Sequence, residues 1–201
     1  HEGKSGKKKP SLIVPDMRRL LQRKSRVVAG ESEVIGDQIE RNGIHVFQGS
    51  ARFVTATSVE IDVGGRKPPI RVRAEKIVIA VGSRPVAPDH LPIDGKYVLD
   101  SDTILDLKAV PKSMVVLGGG VIGCEYASMF AMAGMKVTLV DKRNMILASV
   151  DQEIVRALRD RFEYQGMEIL FGAEAKAIEL PKRGQKPQAL VRLSTGQKIK
   201  A

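Results

Sequence analysis

The residues with the clearest chemical potential are glycines. A run of six residues beginning at Gly118 reads Gly-Gly-Gly-Val-Ile-Gly and satisfies the spacing G-x-G-x-x-G. In such a motif Gly118 permits a tight turn, Gly120 lets the backbone approach a pyrophosphate, and Gly123 lets a helix pack closely on a sheet. The amides at the start of that helix, with Val121 and Ile122, would face the anion at the positive end of the helix dipole. The spacing therefore predicts a dinucleotide site.

The surroundings of the motif favour this interpretation over a purely structural turn, which is the alternative. An apolar strand is predicted before the glycines and an alanine-rich helix after them, and Asp141 ends the next strand 18 residues after Gly123. An acidic residue about 20 residues after such a motif is the expected ligand of a ribose. A phosphate loop of the Walker type is excluded, because no Gly-Lys-Ser/Thr follows the turn.

Asp141 also bears on which nucleotide binds. A carboxylate accepts hydrogen bonds from both ribose hydroxyls of NAD, but it would repel the 2′-phosphate of NADP by roughly 4 kcal/mol at ~4 Å and an effective dielectric of about 20. Asp141 alone therefore favours NAD. Lys142 and Arg143 follow directly and either supply a compensating cation for NADP or lie solvated on a loop. These three residues are predicted to decide the nucleotide preference.

Hydrophobic periodicity predicts the elements that position this motif. From residue 113 onward the pattern is strand, glycine turn, helix and strand, which is a βαβ unit, followed by a helix, a strand and a β-meander. The fold class is therefore α/β, with a Rossmann-like domain. The predicted bounds are 113 to 117, 121 to 133, 136 to 140, 151 to 165 and 167 to 171, with meander strands near 175 to 180, 189 to 193 and from 198 onward.

The first half of the chain has a different pattern. Asp16 is placed to cap a long amphipathic helix that ends at Gly43. Its apolar stripe is predicted to pack on its own sheet, with pairing to another chain as the alternative. A continuous apolar run at 76 to 81 predicts a strand buried in a parallel sheet. Shorter strands are predicted at 44 to 48, 51 to 54, 59 to 63 and 70 to 72, with a hairpin turn at Gly64 and Gly65.

Composition limits the classes of protein that this chain can represent. Its 201 residues are 43% hydrophobic and 28% charged, as in globular chains, and no apolar run approaches the ~20 residues of a membrane span. No signal peptide is predicted, and the single cysteine, Cys124, excludes an internal disulfide and indicates a reduced, cytoplasmic setting. We expect Cys124 to be a small residue against the sheet, although a helix N-terminus can also lower a thiol pKa. The three histidines belong to no catalytic or metal-binding pattern.

The formal net charge of +10 is concentrated near the N-terminus. Residues 1 to 26 carry nine lysines and arginines against Glu2 and Asp16. We interpret residues 1 to 15 as a basic, flexible, solvated segment, with binding to phosphates or an acidic surface as the alternative. Because aromatic residues make up only 4% of the chain and tryptophan is absent, little is available to stack on bases, and nucleic acid is not an expected partner.

The residues around the glycine motif resemble a known family. Residues 118 to 128 are similar to the NAD(P) motif of the pyridine nucleotide-disulfide oxidoreductases, and the similarity covers nearly everything from Asp16 to Ala201. The resemblance implies one domain for FAD and one for NAD(P), with hydride passing from NADPH to FAD and then to NAD⁺. The other similar stretches are 48 to 53, 74 to 85, 100 to 102 and 151 to 153.

The resemblance also implies site residues and a domain organisation. Ala51 is expected near the FAD adenine and Glu125 near the nicotinamide. The segment expected along the FAD side consists of Ala80, Val81, Gly82, Ser83 and Arg84. The implied organisation is part of an FAD-binding domain at 16 to 85, a connection at 86 to 111, and an NAD(P)-binding domain at 112 to 201 that stops before its end.

Some features of the family have no counterpart in this sequence. These are the first glycine motif, which serves the FAD pyrophosphate, and the C-terminal dimerisation domain. We therefore interpret the chain as an internal fragment of a longer, homodimeric enzyme, which alone binds NAD(H) weakly, holds no FAD and is inactive. The alternative enzyme is a dihydrolipoamide dehydrogenase or related disulfide reductase, which needs a close cysteine pair in the N-terminal part of the longer enzyme. A nucleotide-binding or interaction module without catalysis is the second alternative.

Overall fold

The computed structural model describes residues 16–86, 88–184 and 186–201. Within these residues the chain divides into two compact units. One contains Arg23–Arg84, and the other contains Pro85–Ala201 together with the described residues that precede Arg23. The basic segment predicted for residues 1 to 15 lies outside the described residues. None of the described helices is both long enough and apolar enough to cross a membrane.

The unit that contains Arg23–Arg84 is built on a small antiparallel sheet. Its strands are β1 (Ser50–Thr55), β2 (Ser58–Asp62) and β3 (Ile70–Arg73), which lie in the order β1-β2-β3. Gly64 and Gly65 both have a positive φ and lie in the connection between β2 and β3. The predicted hairpin turn is therefore confirmed.

A charged cluster ties the three strands together. Glu60 on β2 is 7% exposed, and its carboxylate pairs with Arg52 on β1 and, at 3.0 Å, with Arg71 on β3. The hydrogen bond from Arg71 and the charge of Arg52 lower the pKa of Glu60, although burial acts in the opposite direction. Because both arginine side chains are 71% exposed, the cluster lies at the edge of solvent.

Three predictions for the first half of the chain are wrong. Residues 44–48 and 76–81 are not strands, because neither run pairs with another strand in the described part of the chain. A strand of a parallel sheet is buried between neighbours, whereas Val78 and Val81 are 87% and 88% exposed. The first helix, α1 (Met17–Arg41), has no buried residue among those described, so its apolar stripe is not packed on a sheet.

The unit that contains Pro85–Ala201 has the predicted βαβ arrangement. Its first three strands form a parallel sheet in the order β4-β5-β6, and its last three form an antiparallel meander in the order β7-β8-β9. This confirms the α/β, Rossmann-like fold class. The strands are β4 (Ser113–Leu117), β5 (Lys136–Asp141), β6 (Glu168–Phe171), β7 (Ala175–Glu179), β8 (Leu190–Leu193) and β9 (Lys198–Lys200), and the helices are α2 (Val121–Met132), which follows β4, and α3 (Gln152–Tyr164), which follows β5.

The central strand β5 organises the core of this unit. Val137 and Leu139 are 1% and 0% exposed and belong to a cluster with Phe162 of α3 and small residues of α2 such as Ala127. Val140 belongs to a second cluster, formed with the meander. Alternate residues of a strand face opposite sides of the sheet, so Asp141 faces the same side as Val137 and Leu139, which pack against the helices. The strand therefore directs the Asp141 side chain to the side on which α2 begins.

Candidate functional site

In the glycine turn that joins β4 to α2, the local structure itself requires glycine at positions 118 and 123. The Gly118 amide donates to the Val140 carbonyl at 2.8 Å, and the φ of Gly118 is +106°, which side chains rarely adopt. A Cβ at Gly123 would lie 1.9 Å from the Gly118 carbonyl oxygen and 3.5 Å from Cγ1 of Val116. The helix therefore approaches the turn more closely than any residue with a side chain would allow.

Gly120 differs from these two glycines, because the described structure leaves the space beside it open. Its φ of −77° and ψ of −176° suit any residue. A Cβ there would meet no described atom within 4 Å. The fold does not require glycine at this position, but a glycine leaves room for a group that approaches the backbone from outside.

The start of α2 has no side-chain cap, in contrast to the start of α3. Asp151 caps α3 by accepting hydrogen bonds from the amides of Glu153 at 2.8 Å and Ile154 at 3.5 Å. Gly120 has the corresponding position at α2, and no described side chain caps the amides of this turn. Because these amides lie at the positive end of the helix dipole, they are suited to binding an anion such as a pyrophosphate.

The Asp141 carboxylate lies against the glycine turn and is 3% exposed. Its Oδ2 accepts hydrogen bonds from the Gly119 amide at 2.6 Å and from Nη2 of Arg143 at 2.9 Å. Its Oδ1 accepts from the backbone amide of Arg143 at 2.7 Å and from Nε of the same residue at 3.1 Å. The predicted ribose ligand is therefore engaged within the protein by both a backbone amide and an arginine.

Gly119 is a site residue that the motif spacing did not identify. Its amide donates to Asp141, and its carbonyl accepts from the Leu147 amide at 2.8 Å and from the Cys124 thiol at 3.6 Å. A Cβ at Gly119 would lie 2.8 Å from Cγ2 of Ile146. The available sequence signal was a glycine at the second of three consecutive glycine positions, to which the motif assigns no task.

Charge pairing makes Asp141 strongly acidic. Burial acts to raise the pKa of Asp141, but the hydrogen bonds from Arg143 and Gly119 outweigh it and lower the pKa to about 2. The same hydrogen bond to Asp141 raises the pKa of Arg143. Both groups are therefore charged at neutral pH. Lys142, between them in sequence, is exposed, and its charge is one of those that lower the pKa of Glu174, after that of Lys176.

Cys124 lies in the first turn of α2 but does not have the environment of a reactive thiol. It is 4% exposed, and burial together with the negative charge of Asp141 raises its pKa to about 11. Arg143 acts in the opposite direction but does not compensate. The observed role of Cys124 is that of a small residue packed between α2 and the sheet.

We expect Cys124 to resist thiol reagents in the folded chain. With a pKa of about 11, only about one thiol in a thousand is ionised at about pH 8, and the thiolate is the reactive form. The rate of reaction with a disulfide reagent, measured by absorbance, should rise at least about 100-fold in denaturant, which exposes the thiol and restores its ordinary pKa. Equal rates in buffer and in denaturant would contradict the buried environment.

The residues assigned by resemblance to the flavin side are exposed. Ala51 lies on β1, and residues 80–84 form a segment without regular secondary structure. Because these side chains are exposed, the residues do not by themselves enclose a flavin. Glu125 lies in the other unit, exposed on α2 at a groove that Met129 and Leu158 also line. The assignments of Ala51, Glu125 and residues 80–84 remain predictions.

The parallel sheet, the glycine turn and the uncapped start of α2 define an α/β protein with a Rossmann-like unit. A family model described as pyridine nucleotide-disulphide oxidoreductase matches residues 7–201. The chain therefore belongs to the pyridine nucleotide-disulphide oxidoreductase family, as the resemblance predicted. Members of this family use FAD and NAD(P) as cofactors.

The curated relatives are named soluble pyridine nucleotide transhydrogenase. That of Mycobacterium tuberculosis (strain ATCC 25177 / H37Ra) is 39% identical over 182 residues, which cover 90% of this chain and 38% of the relative. That of Hamiltonella defensa is 38% identical over 191 residues, which cover 94% of this chain and 40% of the relative. The chain thus spans less than half the length of the relatives it matches.

Two solved structures show how the described elements compare with known folds. The HOCl-induced flavoprotein disulfide reductase RclA from Escherichia coli is 28% identical, with a TM-score of 0.78 over 93% of this chain and 41% of its own. LpdA from Mycobacterium tuberculosis has a TM-score of 0.83 over 92% of this chain and 41% of its own, but only 21% identity. The likeness to LpdA shows the fold alone.

Proposed function

We propose that this chain supplies the nicotinamide-nucleotide site of a flavoprotein that transfers hydride between NADPH and NAD⁺. The observation that carries the proposal is the open space beside Gly120 at the uncapped start of α2. The names of relatives that are 36–39% identical support the particular reaction. The lone, buried cysteine agrees with a reduced, cytoplasmic setting.

The residues around the glycine turn bind and orient the nucleotide in this proposal. The pyrophosphate lies over Gly120, where the amides of Val121 and Ile122 donate hydrogen bonds to it. The turn is kept in shape by Gly118, whose positive φ side chains rarely adopt, and by Gly123, which has no room for a side chain. The exposed apolar side chains of Val121 and Ile122, 59% and 57% exposed, offer a surface against which the nucleotide packs.

Different parts of the unit bind the two ends of the nucleotide. Glu125, one turn into α2, faces the nicotinamide end. The segment from Asp141 to Arg143 at the end of β5 faces the adenosine end, where a 2′-phosphate distinguishes NADP from NAD. FAD would supply a hydride acceptor in the full-length protein, where Ala51 and residues 80–84 would contribute to holding it.

A disulfide reductase, such as dihydrolipoamide dehydrogenase, is the second candidate function. It is favoured by the likeness to the flavoprotein disulfide reductase RclA at a TM-score of 0.78. Such an enzyme needs a pair of redox cysteines, and this sequence contains a single cysteine. The two candidates share the nucleotide site and differ in what receives the electrons from the flavin.

The proposal is tested by flavin reduction in the full-length protein. NADH and NADPH are titrated separately under anaerobic conditions while the flavin absorbance is followed. Comparable reduction by both nucleotides supports transhydrogenase activity, whereas reduction by NADH alone, with turnover of lipoamide, supports the second candidate. A flavin that neither nucleotide reduces would contradict the proposed site itself. As a control, AMP occupies the adenosine end and should slow the reduction without causing any.

A further inference from the structure

The turn that ends α1 contains the sequence Asn42-Gly43, which has no part in the proposed nucleotide site. We propose that Asn42-Gly43 is a site of spontaneous deamidation, at which the Asn42 side chain cyclises onto the Gly43 nitrogen when the end of α1 opens. Water is the co-reactant, and the reaction needs no enzyme or cofactor. The chain has one other asparagine, Asn144, which is followed by methionine and not by glycine.

The reaction uses two groups that are adjacent along the chain. The Gly43 peptide nitrogen, after losing its proton to hydroxide, attacks Cγ of Asn42. The new Cγ–N bond forms as the bond from Cγ to Nδ2 breaks, and Nδ2 takes a proton from water and leaves as ammonia. The product is a five-membered cyclic imide, in which water cleaves either C–N bond to leave aspartate or isoaspartate at position 42. Glycine favours this cyclisation because no side chain hinders the approach of its nitrogen.

The nucleophilic nitrogen is held by the end of the helix in the folded chain. The Gly43 amide donates to the Glu40 carbonyl at 3.0 Å. The next amide, that of Ile44, donates to the Ile39 carbonyl at 3.1 Å. These two hydrogen bonds form a Schellman cap, in which Gly43 has a φ of +63°. The Gly43 nitrogen is therefore engaged as a donor for as long as this cap is closed.

The side chain of Asn42 is also held, by a hydrogen bond to the preceding turn of the helix. Its Nδ2 donates to the Gln38 carbonyl at 2.7 Å, and the Asn42 backbone amide donates to the same oxygen at 3.1 Å. The carboxamide is thus bonded one turn before the nitrogen with which it reacts. Cyclisation requires both the Nδ2 bond and the Gly43 amide bond to break first.

The end of α1 has little besides these hydrogen bonds to keep it closed. No residue of α1 is buried, and the turn from Asn42 to Ile44 is exposed. A helix end without tertiary packing frays at a low cost in free energy, and hydroxide and water then reach the turn. The site is therefore protected by local structure alone, and the rate of deamidation is set by how often that structure opens.

Deamidation would in turn keep the helix end open. An aspartate at position 42 has no donor for the Gln38 carbonyl, and its negative charge lies at the negative end of the helix dipole. Isoaspartate also adds one carbon to the main chain between positions 42 and 43, which changes the spacing of the amides that form the cap. Chains in which α1 opens more often are thus marked irreversibly.

The site is tested by peptide mass spectrometry of the 201-residue chain after incubation in mildly alkaline buffer, with and without urea. We expect Asn42 to be converted to aspartate and isoaspartate while Asn144 stays largely intact. Conversion of Asn42 should be about threefold or more slower in the folded chain than in urea. Equal conversion of the two asparagines in urea would overturn the proposed site. Equal rates at Asn42 with and without urea would overturn its control by the helix end.

Two substitutions at the exposed position 38 test the role of helix opening directly. Gln38→Gly weakens the last turn of α1, and Gln38→Ala is the matched control, which loses the same side chain but keeps a strong helix former. Both retain the backbone carbonyl that accepts from Asn42. In the folded chain Asn42 should be deamidated about threefold to fivefold faster in Gln38→Gly than in Gln38→Ala, and in urea the two rates should be equal. A Gln38→Gly variant that reacts no faster when folded would overturn the proposal.

The effect of the product on the helix end is measured with Asn42→Asp by amide hydrogen exchange. The Ile44 amide should exchange about tenfold faster in this variant, because the charge and the lost donor both weaken the cap. Asn42→Ser is the control, since its hydroxyl is an uncharged donor for the carbonyl four residues earlier, and exchange should rise by less than about threefold. An Ile44 amide that exchanges no faster in Asn42→Asp than in Asn42→Ser would contradict the proposed opening by the modified residue.

Discussion

Replacing Gly123 by alanine is expected to destabilise the unit that contains Pro85–Ala201 by about 3 kcal/mol or more. The added Cβ would lie 1.9 Å from the carbonyl oxygen of Gly118, and a backbone atom of the turn cannot move away as the end of a flexible side chain can. Either α2 separates from the sheet or the turn loses its bond from Gly118 to Val140. Binding of NADH should be lost with the fold.

Gly120→Ala is the matched control, with the same chemical change three residues earlier. Its backbone angles suit alanine and its Cβ would meet no described atom within 4 Å, so stability should fall by no more than about 1 kcal/mol, the cost of alanine in place of glycine at a helix N-cap. In contrast, NADH affinity should fall at least about tenfold, because the methyl group takes the space proposed for the pyrophosphate. The pair thus separates the glycine that the fold needs from the glycine that the ligand needs.

Tyrosine fluorescence can measure the stability of the Gly123→Ala and Gly120→Ala variants. The chain has three tyrosines and no tryptophan, and Tyr97, Tyr126 and Tyr164 all belong to the unit that contains the turn. Urea unfolding followed by this signal reports that unit, and NADH titration reports the site. A Gly120→Ala variant that binds NADH normally would remove the main support for the proposed pyrophosphate position. A Gly123→Ala variant of unchanged stability would mean that the close approach relaxes at little cost.

The substitution Asp141→Asn is expected to remove a contribution to the free energy of unfolding that depends on pH. The pKa of Asp141 is lowered from an ordinary value of 3.8 to about 2 in the folded chain, so the unfolded chain binds the proton more readily. The contribution is therefore present in full above about pH 4 and is lost as the pH falls toward about 2. A shift of nearly two pH units corresponds to about 2 kcal/mol. Asparagine does not ionise, so the variant lacks this pH-dependent contribution to stability.

The free energy of unfolding of both proteins is compared between about pH 2 and pH 7 by the same tyrosine signal. The difference between them should be largest near neutral pH and should shrink by about 2 kcal/mol at the acid end. Glu179→Gln serves as the control, since its ion pair with Arg192 is exposed and solvent screens it, so its loss should change the free energy of unfolding little. A difference that is constant across this range would mean that the ionised carboxylate is not what stabilises the fold.

The amino-acid sequence by itself determined the class of fold and predicted the place of the candidate site. Short apolar runs and helical periodicity are local properties, so the strands on either side of α2 were predicted within a residue or two. The glycine spacing likewise predicted the turn, since Gly118 and Gly123 are required by backbone geometry that any such turn shares. The family followed from the same residues, because their order along the chain is what defines its motif.

Only the tertiary structure decided which of these local tendencies are realised. The run at 76 to 81 has the residues of a buried strand but no neighbouring strand in the described chain, and a strand without a hydrogen-bonded neighbour does not form a sheet. The internal contacts of Asp141 were decided by the fold as well. The spacing of Asp141 predicts a ribose ligand, but spacing alone does not indicate that Gly119 and Arg143 fold against its carboxylate and donate four hydrogen bonds to it.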